Sequence, residues 1–365
     1  MKYRWLMSTG LSAFALFVAC DSTGSSAPDR GVILADISRL VIVPSFADAA
    51  KETQSLEVAL TTFRDAPDAT SLATARAAWK AARRAWKTSD AFLFGPSDDL
   101  ALTGGAIDTP ADSAKIEAFA AAAGPLDPAT VATRGANQRG FPALEVLLFD
   151  PARDDASMLA LFQDAGHRRG TLAALVAGDL GAKVAAVSAA WAVNGSELAN
   201  AGRGSKVYVS ERQGVDALVN GLINASEVLV ALRLAKPLGL DKTPQVPAPE
   251  LIESPRSDAS VEDLVDVIDG IEKVYLGRGA TGTGLPLAEA VAERSPSADT
   301  QLRAQLTAAR NAVRAIPGPL RTAVVERREP VLAAHAAIRE VKRTLSTSVA
   351  GALGTSVGFN VTDGD

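Results

Sequence analysis

Residues 209–234 read VSERQGVDALVNGLINASEVLVALRL. Val215, Leu218, Leu222, Leu229 and Leu232 recur there at intervals of three, four and seven. An α-helix turns once about every 3.6 residues, so these side chains share one stripe and predict a long helix with a core-facing side. The same spacing, less regular, marks helices over 32–63, 71–94, 111–123, 142–149, 167–193, 261–275, 298–316 and 320–349. Alanine is abundant, and Leu, Glu, Arg and Lys fill most other positions outside the loops; these are the better helix formers. β-branched alternation is scarce, and no two-residue hairpin turn separates alternating strands. The fold class is therefore all-α.

Local signals punctuate the helices. Thr109-Pro110-Ala111-Asp112, Asp127-Pro128 and Ser295-Pro296 each place a capping residue before a proline, which suits the first helical position. Ser260-Val261-Glu262-Asp263 resembles a capping box with Asp in place of Glu. Pro44 and Pro330 are expected to kink or break their helices. Gly195, Asn200, Gly202 and Gly204 cluster at a natural boundary. The main helices then divide into two bundles, over 31–195 and 205–365. The long connection 237–260 is rich in proline and polar residues, a composition and length that often carry function.

The chain has 365 residues and a formal net charge of −5, which excludes a general nucleic-acid binder, since that needs a concentrated basic surface. One cysteine and two histidines exclude an internal disulfide framework and leave too few ligands for a Cys/His zinc site. Residues 1–19 read MKYRWLMSTGLSAFALFVA: a basic start, then an apolar stretch too short to span a membrane. This is the layout of a signal peptide. The following Cys20 stands where a bacterial lipoprotein signal places its acylated cysteine, so the lipid bilayer is an expected partner; a chance cysteine after an ordinary signal is the alternative. Residues 20–30 are small and polar and read as a flexible tether.

Four segments carry candidate chemistry. In WKAARRAWKTSDAFLFGP (79–96), Trp79, Arg83, Trp86 and Asp90 fall on one helical face. Either the tryptophans are core with Arg83 shielded by Asp90, or the stripe walls a polar pocket. In GFPALEVLLF (140–149), Glu145 is an acid within an apolar run. Such a carboxylate must pair, bind a metal or take up a proton. Ser254, Ser257, Asp258 and Ser260 cluster before a helix, either as solvated linker and caps or as groups reaching a pocket. His335 shares a face with Val331 and Ile338 and reads as a hydrogen-bonded core histidine; His167 reads as exposed. Gly277-Arg278-Gly279 and Gly282-Thr283-Gly284 read as flexible loop, with no preceding strand to make a phosphate cradle.

These segments, in order, resemble the imelysin-like family. Gly140 to Glu145 is similar to its Gly-x-His-x-x-Glu motif, with Pro142 in place of histidine. The 79–96 segment resembles its tryptophan/arginine helix ending in Phe-Gly-Pro, and Ile107-Asp108-Thr109-Pro110 its Ile-Asp-x-x-Pro turn. Residues 219–239, 253–277 and 353–365 resemble its second-half helix, the loop and helix after it, and its C-terminus. The resemblance implies two similar four-helix-bundle domains with a functional site at their interface. It also implies an exported, often lipid-anchored bacterial protein associated with iron uptake. Members were once grouped as metallopeptidases for the His-x-x-Glu string. Pro142 has no metal-binding side chain, which disfavours zinc proteolysis here.

The sequence leads to a non-enzymatic, lipid-anchored protein of the bacterial envelope, its body on the periplasmic side. It is expected to serve iron uptake by binding a metal, a metal complex or a partner at the inter-domain cleft, with an iron-transport component as a further partner. Arg83, Trp86, Asp90, Asp108, Gly140, Glu145 and Ser254 are the expected lining residues, and Glu145 and Asp90 the candidate metal ligands. Iron is the candidate cofactor, because hard carboxylate oxygens suit it. A metallopeptidase and a non-binding scaffold are the alternatives.

Overall fold

The computed structural model describes residues 28–97, 106–163 and 166–358. The leader, Cys20, most of the tether and residues 359–365 lie outside the described residues. The chain is helical almost throughout. Its helices are α1 (Arg30–Asp36), α2 (Val43–Asp65), α3 (Ala69–Thr88), α4 (Ser113–Ala121), α5 (Pro128–Ala132), α6 (Gly140–Leu148), α7 (Asp155–Ala160) and α8 (Arg168–Ala199). The second half holds α9 (Glu211–Glu227), α10 (Lys236–Leu238), α11 (Ser260–Leu276), α12 (Leu287–Arg294), α13 (Pro296–Arg314), α14 (Leu320–Glu326), α15 (Arg328–Thr344) and α16 (Ala350–Leu353).

Two rings of neighbours organise these helices. In one, α2 packs on α3 and α8, and α6 closes against both α3 and α8. In the other, α9, α11, α13 and α15 pack each on the next. The rings meet where α3 crosses α11. The buried apolar residues form one continuous cluster through both. Gly270 makes the crossing possible, because a Cβ there would lie 2.1 Å from the Thr88 carbonyl oxygen.

Three π-helical turns interrupt the regular helices, at Ile37–Ile42, Val228–Ala235 and Leu345–Val349. The first immediately precedes Pro44, which has no N–H to give to the α-helical ladder; the wider turn, with Val43 N–H donating to Ser38 O, carries the chain into it. The second changes which side of the long helix faces inward. Val215, Leu218, Leu222 and Leu229 are buried as expected, but Leu229, Val230 and Leu234 continue the core and Leu232 turns half outward. A π turn advances each residue by a smaller angle, so a stripe extrapolated at α-helical pitch misses its target.

Other sequence expectations need correction. The stretch 320–349 is broken beside Pro330, as its proline predicts, but three residues ahead of it: α14 ends at Glu326, α15 starts at Arg328, and Pro330 sits in its first turn. Helix α4 is capped by Asp112, whose side chain accepts from Lys115 N–H, not by Thr109. Ser260 does not cap α11; its hydroxyl donates to the carbonyls of Glu253 and Ser254, and Asp263 is engaged elsewhere. Helix α8 runs through Gly195 to Ala199. Residues Arg278–Gly279 and Gly282–Thr283 pair as a short antiparallel ladder (β1, β2) rather than flexible loop.

Candidate functional site

The face of α3 that carries Trp79 also carries Arg83 and Lys87, one turn apart. Both cations are buried, at 2% and 0% exposure. Buried charges persist only when paired and hydrogen-bonded, and these are paired by acids distant in sequence. The Arg83 guanidinium donates through Nε to Asp263 Oδ2 at 2.8 Å and through NH1 to Asp108 Oδ1 at 2.9 Å. Ser254 Oγ adds a bond to Asp263 Oδ2 at 2.7 Å. Lys87 Nζ donates to Asp108 Oδ2 and, at 2.7 Å, to Glu253 Oε1. Arg233, from the second π turn, reaches Asp90 Oδ2 at 2.5 Å and Glu253 Oε2 at 2.9 Å. Arg83 is thus not shielded by Asp90, which serves Arg233 and, at 3.6 Å, Lys87.

Arg83, Lys87 and Arg233 face Asp90, Asp108, Glu253 and Asp263, leaving one negative charge in excess. Burial would push the Asp108 carboxyl up, but Arg83 and Lys87 outweigh it and hold the group well below the usual carboxylate range. Burial and Arg233 both act against the Lys87 charge, yet Asp108, Asp90 and Glu253 raise its pKa above that of a free lysine. Beside this cluster lies a cavity of about 180 Å³ walled by Trp86, Asp90, Asp108, Asn224, Arg233 and Glu253. Glu253 Oε2 is buried and, although close to Arg233, has no hydrogen bond in line with it.

Glu145 lies on α6 and is 3% exposed. Its Oε1 accepts from Arg256 N–H at 3.0 Å, Ser257 N–H at 2.8 Å and Ser257 Oγ at 2.6 Å. The loop that supplies these donors is shaped by two left-handed residues, Ser254 and Asp258. Burial pushes the Glu145 carboxyl up, and the Ser257 bonds and the Arg83 charge only partly offset it. Gly140 begins α6 at φ 73°, where a Cβ would lie 2.2 Å from Ile107 O. That close approach lets Phe141 N–H bond Ile107 O at 2.9 Å and sets Asp108, the next residue, beside Arg83.

The structure thus joins Arg83, Asp90, Asp108 and Ser254 in one network, with Trp86 on the cavity wall and Gly140 fixing the Asp108 turn. Glu145, on α6, is held by its own donors from the neighbouring loop, Arg256 and Ser257. The donor set does not suit a bare metal ion. Asp90, Asp108 and Glu253 already answer to ammonium or guanidinium groups, and Glu145 Oε1 already takes three donors. Among the described residues no three His, Cys, Asp or Glu side chains converge on a common point. The two candidate ligands, Glu145 and Asp90, are both among these engaged groups. His335 is likewise no hydrogen-bonded core residue: it is half-buried with no hydrogen bond among the described residues and lines a surface groove. His167 is exposed, as its sequence context predicts.

Sequence reasoning missed Lys87, Arg233, Glu253 and Asp263. One signal was available: Arg83 and Lys87 are like charges four apart on a tryptophan-bearing face, which demands acids from elsewhere.

One turn beyond Asp263, Asp266 faces a separate groove with Glu262, Asp269 and Arg314. It is 9% exposed, and its nearest cation, Arg84 Nε, is 3.7 Å away. Burial pushes its carboxyl from the ordinary 3.8 up to about 7, with Arg84 opposing. Between about pH 4 and 7 the folded chain therefore holds a proton that the unfolded chain has lost, so stability falls as pH rises through that window. Asp266→Asn removes this titration. Thermal melts should show the variant more stable than wild type at pH 8, with no such gain at pH 4. Equal shifts at both pH values would refute the assignment.

Comparison with known proteins places this geometry in context. The chain is 28% identical over 347 residues to "Iron-regulated protein A" of Synechococcus elongatus, covering 92% of this chain and 89% of that one. Its fold is similar to that of a protein from Parabacteroides distasonis described as an iron-regulated protein A precursor, with a TM-score of 0.75, 20% identity and coverage of 90% of this chain and 97% of that one. An imelysin-like protein from Psychrobacter arcticum gives a TM-score of 0.70 at 18% identity, over 90% and 97% of the two chains. The imelysin family model matches residues 42–346, from the first π turn to the last, and so takes in every member of the buried charge network. The chain belongs to the imelysin family.

Proposed function

We propose that this chain is an exported, lipid-anchored envelope protein that binds a small iron complex, without catalysing a reaction, in the cavity beside Arg233. The observation that carries the reading is that cavity of about 180 Å³, rimmed by Asp90, Asp108, Arg233 and Glu253 and backed by Trp86. The iron-related part rests on the family and on the relative named for iron regulation. Because the carboxylates are already paired, iron enters as chelated cargo, and the protein meets the chelator. Nε and NH2 of Arg233 already pair with Glu253 and Asp90, so its NH1 would donate to a chelator carboxylate, and Glu253 Oε2 would accept from a chelator hydroxyl. Pro142 offers no ligand and Glu145 Oε1 is fully engaged, so we read the site as binding rather than hydrolytic. Acylation at Cys20 would hold the body at the membrane, within reach of an iron-transport component.

Calorimetric titration with ferric citrate tests this. Val228 lines the cavity without joining the ion pairs, so Val228→Phe fills the space and spares the network. Wild type should give a saturable heat, and the variant should bind at least tenfold more weakly with an unchanged melting temperature. No heat from wild type, or equal affinity in Val228→Phe, would sink the proposal.

A further inference from the structure

A second groove, remote from the charge network in composition, lies between the π turn Val228–Ala235 with α10 on one side and α15 on the other. Its volume is about 660 Å³, within the range of small-molecule sites. Leu232, Leu240 and Leu332 form its apolar floor, all only partly buried. Leu232 is available because the π turn rotates it off the core stripe. Lys236, His335 and Arg339 line the same groove, and Asp241 is the one acid in the lining. None of these four side chains has a hydrogen bond or ion pair among the described residues. Lys236 and Arg339 are exposed and His335 is half-buried, so a ligand entering the groove can reach all three.

We propose that this groove binds a free aliphatic monocarboxylate, its tail on the three leucines and its carboxylate between Arg339, Lys236 and the His335 N–H. The two cations against Asp241 leave one positive charge in excess around an otherwise apolar slot. An apolar body with one anionic end complements that pattern; a cation meets Lys236 and Arg339, and a neutral alkane leaves them unanswered. His335 reports on occupancy. Burial, and then the Arg339 charge, hold its pKa below the ordinary value. A bound carboxylate offsets Lys236 and Arg339, adds to the field of Asp241, and raises the His335 pKa. By linkage, affinity then increases as pH falls through the His335 titration.

The chain has only two histidines, so its imidazole Cε1–H spectrum has two resonances, and His167→Gln assigns them. The probe is sodium octanoate, with hexanoate and octylamine as comparators. Octanoate should move the His335 resonance saturably and shift its titration to higher pH, leaving His167 unmoved. Hexanoate, two methylenes shorter, should bind about tenfold more weakly, and octylamine should not saturate. Arg339→Gln should weaken octanoate at least tenfold, and Leu232→Ser comparably. Both positions are exposed or half-exposed, so the fold should survive; unchanged melting curves check this. An unmoved His335 resonance, equal binding of octylamine, or full affinity in Arg339→Gln would overturn the proposal.

Discussion

Arg83→Leu is expected to cost roughly 3–5 kcal/mol of folding stability, the range for removing one partner of a buried ion pair. The leucine would fill part of the space but leave Asp263, Asp108 and Glu253 without the guanidinium they share. Asp263 would keep only the Ser254 hydroxyl, and Asp108 would keep Lys87. The guanidinium also lies 5.6 Å from the Trp79 ring centroid and 5.8 Å from that of Phe141, so its planar packing is lost too. Urea unfolding measures the loss. Adding Asp263→Asn to Arg83→Leu should recover part of it, because that change removes the carboxylate left most exposed to desolvation; residues in one network couple by about 0.5–3 kcal/mol. A loss below about 1 kcal/mol for the single variant, or strict additivity in the double, would mean the charges are far better hydrated than their burial implies.

Gly140→Ala should be strongly destabilising and should disturb the buried charge network as well. At φ 73° an alanine carries left-handed strain of about 1–3 kcal/mol. Its Cβ would also press on Ile107 O at 2.2 Å and Ala106 O at 2.7 Å, both backbone atoms with little freedom to yield. Overpacking of this kind adds about 1–3 kcal/mol. Relief requires the 106–108 turn to move, which drags Asp108 away from Arg83 and Lys87. The expected outcome is a lower melting temperature together with weaker ferric citrate binding. Gly351→Ala is the control, since nothing lies within 4 Å of a Cβ there and it sits in helix α16. If the two variants melt alike, the Ile107 contact is softer than described.

The helical character was legible because it is written locally. Alanine content, capping residues and the Val215–Leu222 stripe each speak for a helix within one or two turns. What escaped was set by helix pitch and by distance. Nothing in residues 228–235 announces a π turn, so the Leu232 prediction failed while Leu229, at the turn's start, succeeded. The site divides the same way. Arg83, Asp90 and Glu145 stand out against their immediate neighbours, as charges on a tryptophan-bearing face or in an apolar run, whereas Asp108, Gly140 and Ser254 came from the resemblance to the family's ordered motifs. Asp263 did not stand out, because an acid in the first turn of a helix has an ordinary explanation in capping and dipole terms. Its true partner, Arg83, is 180 residues away. Glu253 and Arg233 were hidden for the same reason: a pairing across the fold leaves no trace in local spacing.

At the crossing of α3 over α11, ion pairs such as Arg83–Asp263 add to the continuous apolar core that joins the two rings of helices. Neutral solutes of suitable size should therefore be turned away at the threshold: entry would strip water from Arg233 and Asp90 and return nothing. On the proposed reading a guest carrying its own charges can trade ion for ion, and electrical pattern then selects it before shape.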